Sequence, residues 1–191
     1  VSRDWSSDVC SSDLHARILH RDVPQADVVM IADVDPARAQ AVAADIPGAQ
    51  ATDDAIAVIR SDEVDAVLVA SSDATHAEYV HACLDLRKPV LCEKPLAPTV
   101  AECAAIVSAE QAVVGDGPAL VSVGFMRRFD PGYAELRAAV AAGALGVPLM
   151  VHSVGRGVSA PPGTNELTVT GSAIHDLDVV PWLLDSPVVA A

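Results

Sequence analysis

The tetrapeptide Cys92-Glu93-Lys94-Pro95 closes the apolar run "PVLCEKP" (89–95), and its proline disfavours the helical region for the residue before it, holding Lys94 extended. If the run is a buried strand, the Lys94 ammonium projects from its carboxyl end into the crevice beyond, with the Glu93 carboxylate beside it. The alternative is a solvated pair at a strand end. A second such acid is Asp33, which closes "VVMIAD" (28–33). Its carboxylate there can accept hydrogen bonds from a vicinal diol. Equally, Asp33 is a loop residue ahead of Asp35, an ordinary helix cap.

The elements that must position these residues alternate along the chain. "VVMIAD", "VDAVLVASS" (64–72), "PVLCEKP" and "ALVSVGF" (119–125) are short, β-branched and nearly uninterrupted, as strands buried on both faces are. Between them lie helix starts: Asp35 and Pro36 before "PARAQAVAAD", and Thr99 with Glu102 three residues on as a capping box. Strand and helix in alternation give an α/β fold, a doubly wound parallel (Rossmann) sheet. Ligands of such sheets bind beyond the carboxyl ends of the strands, which singles out Asp33, Ser71, Ser72, Cys92, Glu93 and Lys94. An acid at the end of the second strand of a dinucleotide fold receives the adenosine ribose hydroxyls, so Asp33 favours NAD over the 2′-phosphorylated cofactor.

The glycine loop of that fold belongs about 20 residues earlier. Positions 7, 9 and 12 hold Ser7, Val9 and Ser12, and residues 1–6 read "VSRDWS", without apolar alternation. The opening "VSRDWSSDVCSSDL" is rich in Ser and Asp and nearly repeats itself, unlike the Ala-rich chain that follows. Residues 1–14 are therefore expected to be non-native and to displace a first strand and its phosphate loop.

Composition narrows the partners. A formal net charge of −14 with 12 basic residues excludes a nucleic-acid partner, which clustered Lys and Arg would have to hold. No apolar run reaches membrane-spanning length. The four cysteines, Cys10, Cys83, Cys92 and Cys103, form no CxxC pair. They are expected to be reduced thiols in a cytoplasmic protein, with no metal and with Cys92 as a buried small hydrophobe.

The stretches "VDAVLVASSDATHAEYVHACLDLRKPVLCEKPLA", "VGFMRRFDPGYAELRAAVAAGALGVPLMVHSVGRG" and "SAIHDLDVVPWLL" resemble the Gfo/Idh/MocA oxidoreductases, most closely their inositol dehydrogenases, over about residues 15–186. The resemblance implies an NAD(P)-binding Rossmann domain over 1–125. Residues 126–191 would begin a truncated α/β domain with a large open sheet, which usually forms a homo-oligomer interface. It implies hydride transfer between a sugar or cyclitol carbon and nicotinamide. Lys94 then contacts both the nicotinamide side and the reacting hydroxyl, and His175 takes the hydroxyl proton, a task an imidazole suits. Asp178, three residues on, would orient the His175 ring. Read without the family, His175 is a helix-face histidine and Asp178 a solvated charge.

Further positions carry over in the same way. His76 lies at a turn where the backbone passes the cofactor, with a structural role at a helix start as its alternative. Arg127 would face the substrate, with a surface ion pair as its alternative, and Arg156 would contact it too. Two departures stand out: Gly171 replaces an Asp four residues before the histidine, and Gly155-Arg156-Gly157 keeps only the arginine of a three-residue substrate motif. Each lost hydrogen bond removes about 0.5 to 1.5 kcal/mol of net binding, so a cyclitol or sugar other than myo-inositol fits as well. A non-catalytic, dinucleotide-sensing relative and an inactive fragment are the competing readings. With its phosphate loop missing, this exact chain is expected to be inactive while the parent protein is a dehydrogenase.

Overall fold

The computed structural model describes residues 11–155 and 169–189, which fall into two compact units, Val1–Val123 and Gly124–Ala191. In the first unit, Asp35 and Pro36 start a helix as expected. The Asp35 carboxylate accepts from the Ala37 N–H, and Pro36, which has no N–H to lose, opens α2 (Pro36–Ala44). α1 (Ser11–Asp22) precedes β1 (Met30–Ala32). β2 (Gln50–Thr52) and α3 (Ala55–Arg60) follow α2, with Asp54 capping α3 through the Ala57 N–H.

β3 (Val67–Val69), α4 (Asp73–Asp85), β4 (Val90–Cys92), α5 (Val100–Val114) and β5 (Val121–Val123) complete the unit. α4 buries His76, Val80, Cys83 and Leu84, a stripe at helical spacing turned to the core. It ends where Arg87 takes a positive φ of 54°, the left-handed turn that commonly closes a helix. The capping box at the start of α5 is formed in both directions: the Thr99 hydroxyl accepts from the Glu102 N–H, and the Glu102 carboxylate accepts from the Thr99 N–H. Val69, Val80, Cys83, Leu84, Val90, Cys92 and Ile106 make one buried cluster between these helices and strands.

All five strands run parallel, yet among the described residues they hydrogen-bond in two groups, β1–β2 and β3–β4–β5. In the dinucleotide strand order 3-2-1-4-5-6, these groups match strands three and two on one side and four, five and six on the other. The apolar runs overshoot the strands they contain; "VDAVLVASS" carries only Val67–Val69. β2 was not expected at all. It is three residues of Gln, Ala and Thr, half-exposed and paired only with β1, so it shows no apolar run.

The second unit, among its described residues, is helical. A 3₁₀ turn at Met126–Phe129 leads to α6 (Pro131–Ala141), where the Asp130 carboxylate accepts from the Gly132 and Tyr133 amides and Pro131 fills the first helical position. A π-helical turn, Val169–Ala173, runs into α7 (Ile174–Leu184), whose Val179 and Leu183 are buried.

Candidate functional site

Lys94 emerges from β4 between two anchored neighbours. The Glu93 N–H donates to the Val69 carbonyl at 2.8 Å, tying the end of β4 to the end of β3. One Glu93 carboxylate oxygen accepts from His15 Nε2 of α1 at 2.7 Å, and the other from the Lys94 N–H at 3.3 Å. On the far side, the Pro95 carbonyl lies 2.7 Å from Nδ1 of His76, whose Nε2 lies 3.1 Å from the Ser71 carbonyl. The Lys94–Pro95 peptide is cis.

Of the two roles weighed for His76, this geometry carries the structural one: the residue is 1% exposed and both its ring nitrogens face backbone carbonyls, so it braces the turn. The Ser71 side chain, by contrast, is exposed, with its hydroxyl 2.7 Å from that of Thr75 in the first turn of α4.

At the end of β1, Asp33 lines a small pocket with Asp13, Ile31, Arg38, Ala39 and Val42. One carboxylate oxygen, Oδ1, accepts from the Asp35 N–H at 2.8 Å and from Arg38 Nη2 at 2.9 Å. Asp33 and Asp35 therefore divide the two roles weighed for them: Asp35 caps α2, and Asp33 stays in the pocket wall. Arg38 carried no signal of its own in the sequence, being one more cation on a helix.

In the second unit the polar side chains converge on α7. Arg127 donates to Asp176 at 2.6 Å, and the Ser153 hydroxyl donates to the same carboxylate oxygen. The Ser153 hydrogen bond first, and the Arg127 hydrogen bond next, hold the Asp176 carboxyl below its ordinary value of 3.8. Arg128 grips Asp178 with two bonds, 2.9 Å from Nε and 2.5 Å from Nη2, and the hydrogen bond to Asp178 raises the guanidinium's own pKa. Asp178, expected to orient the His175 ring, is engaged at both carboxylate oxygens by the forked guanidinium of Arg128. Arg127, expected to face substrate, is half of a partly buried ion pair. His175 is the second residue of α7, with its Nδ1 buried. Arg156 lies outside the described residues. Asp176 was missed: its partner Arg127 is 49 residues away, a separation no local spacing reveals.

Comparison with known proteins places this geometry. Residues 10–114 match the model of the oxidoreductase family with an NAD-binding Rossmann fold, Gfo/Idh/MocA. The chain belongs to this family. Inositol 2-dehydrogenase 2 of Paenarthrobacter aurescens is 52% identical over 176 residues, 91% of this chain and 52% of that protein. An inositol 2-dehydrogenase of Acidothermus cellulolyticus is 46% identical over 91% of this chain and 50% of its own. The structure of myo-inositol dehydrogenase from Lactobacillus casei, in complex with NAD(H) and myo-inositol, superposes with a TM-score of 0.78 at 31% identity, covering 91% of this chain and 51% of that one. The chain spans about half the length of the curated relatives it matches.

In this Gfo/Idh/MocA chain burial pushes Cys83 up to about 11 and Cys92 up to about 12, so both stay protonated at neutral pH, and Cys92 is the buried small hydrophobe expected of it. Among the described residues no cluster of His, Cys, Asp or Glu is arranged to hold a metal, and no helix is long and apolar enough to cross a membrane.

Proposed function

We propose that this chain is part of an NAD-dependent dehydrogenase that oxidises one hydroxyl-bearing carbon of a cyclitol or sugar. The carrying observation is the 52% identity to an inositol 2-dehydrogenase over nine-tenths of the chain. The residues present fit the dinucleotide at two points. Asp33, in its pocket at the end of β1, would accept from the ribose hydroxyls and repel a 2′-phosphate, and Lys94, with Glu93, would stand at the nicotinamide end. Ser71, exposed at the start of α4, would line the same strand ends. At the pyrophosphate, Ser7 and Val9 lie outside the described residues and Ser12 sits in the first turn of α1.

NAD, when bound, supplies the hydride acceptor. In the first unit Lys94 would hold the reacting hydroxyl and its positive charge would ease loss of the hydroxyl proton. In the second unit His175 would take that proton, while Asp178 and Asp176 fix the arginines beside α7. Arg127 and Arg156 would recognise substrate hydroxyls. We assign residues 1–125 to the dinucleotide domain and 126–191 to the start of a substrate and oligomerisation domain, in a cytoplasmic homo-oligomer.

Gly171 favours a second reading, a relative that binds dinucleotide to sense rather than react. By the resemblance it takes the place of an Asp, and a Cβ added there meets no atom within 4 Å. The experiment follows NADH absorbance with a panel of inositols and sugars, using the longest native protein that contains this chain. Turnover of a cyclitol or sugar is expected. Tight NADH binding without turnover would sink the dehydrogenase reading and leave the sensor.

A further inference from the structure

A lysine that must hold a reacting hydroxyl faces a mechanical problem. Its ammonium sits at the end of a flexible four-carbon stem, so its aim is only as good as the backbone it springs from. A misplacement of about 1 Å in a reacting group costs about a hundredfold in rate. The neighbours of Lys94 on both sides are held by imidazoles from two different helices.

From α1, His15 donates Nε2–H to Glu93, and the other oxygen of that carboxylate accepts the Lys94 N–H. A carboxylate in this exchange only accepts, so the ring supplies the proton, and the bond is of the stronger charge-assisted kind. From α4, His76 sets its Nδ1 2.7 Å from the carbonyl of Pro95 and its Nε2 3.1 Å from that of Ser71, so the ring is wedged between the segment after Lys94 and the end of β3, and a neutral ring donates its one N–H to one of the two carbonyls. His15 is 78 residues from Glu93 and His76 is 19 from Pro95, so neither contact is a by-product of local chain geometry. We propose that His15 and His76 form a two-point clamp on the backbone flanking Lys94, and that both are positioning residues for its ammonium. The clamp rests on the reading of Lys94 as the lysine of the reacting site.

The test uses two readouts in the longest native protein that contains the chain. Amide hydrogen exchange at Lys94, followed by NMR, reports the clamp whether or not the protein turns over. In His15→Ala the Lys94 amide is expected to exchange about tenfold faster, with exchange across β3 and α5 unchanged. His15→Gln, whose amide N–H can donate to Glu93, is expected to bring exchange back to within about threefold of wild type. In parallel, kcat falls about tenfold in His15→Ala while KM and the melting temperature hold, and His15→Gln recovers it. His76→Asn is expected to raise exchange at Lys94 and Leu96; if that variant does not fold, the His15 arm decides. Unchanged exchange at Lys94 in His15→Ala, or a rise shared by the whole sheet, overturns the clamp. A wild type without turnover overturns the dehydrogenase reading instead, and the exchange data still decide the clamp.

Discussion

The Lys94 segment of the first unit and the α7 cluster of the second hold their polar groups by different means. Around Lys94 most anchors are backbone groups, the Val69, Ser71 and Pro95 carbonyls and the Lys94 amide, lying against a packed apolar cluster, joined by one side-chain pair, His15 on Glu93. Around α7 they are charged side chains, Arg127 on Asp176 and Arg128 on Asp178, and the buried apolar residues of that helix are Val179 and Leu183. Backbone anchors beside a core move only if the core moves. Charge pairs near the surface respond to salt and acid. The first arrangement suits a group whose aim is fixed, the second a surface that adjusts.

The largest expected effect tests the first half of that contrast directly. Lys94→Ala is expected to lower kcat at least a hundredfold, the scale of lost acid/base assistance. Stopped-flow NADH absorbance reads it, and a near-normal rate would remove Lys94 from the mechanism. The next effect concerns the core behind it. Ile106→Ala removes a side chain 1% exposed within the main cluster and is expected to cost about 2 to 5 kcal/mol in urea unfolding, with Leu183→Ala in the second unit at the low end of that range. Equal costs would mean that the second unit is packed as tightly as the first. The smallest effect is one of pH. Because Ser153 and Arg127 depress the Asp176 carboxyl below 3.8, its contribution to stability is fully present above that value. It is lost as the pH falls through the lower folded value. Asp176→Asn is expected to flatten the acid limb of the melting-temperature profile, and a mutant that keeps the wild-type limb would show that the Ser153 and Arg127 contacts stabilise nothing.

Much of the first unit was legible because its determinants are local. A cap needs an acceptor one to three residues ahead of its amide, so Asp35 with Pro36 and Thr99 with Glu102 announced α2 and α5. The lysine at the end of β4 was legible from four residues. β2 was not, since a short edge strand of Gln, Ala and Thr is made by its partner β1 rather than by its own composition. The partners of the site were not legible either. Asp178 sits three residues from His175, and the guanidinium that engages it comes from 50 residues away. His76 was weighed as a cofactor contact only through the resemblance; its partners in space, two carbonyls, show in no local pattern.

Taken by itself, the sequence determined the alternation of strand and helix apart from β2, the apolar runs that become β3, β4 and β5, and the residue types at their carboxyl ends, because each follows from backbone preference or from the burial of neighbouring side chains. Tertiary structure decided which oxygen each of those residues would meet. His15 found Glu93, Arg38 found Asp33, and Asp176 found Arg127 across gaps of 78, 5 and 49 residues. Hydrogen bonds and ion pairs are chosen by distance and direction in space, and except for the short step from Asp33 to Arg38, the chain reaches those distances only after its strands have packed and its helices have closed over them.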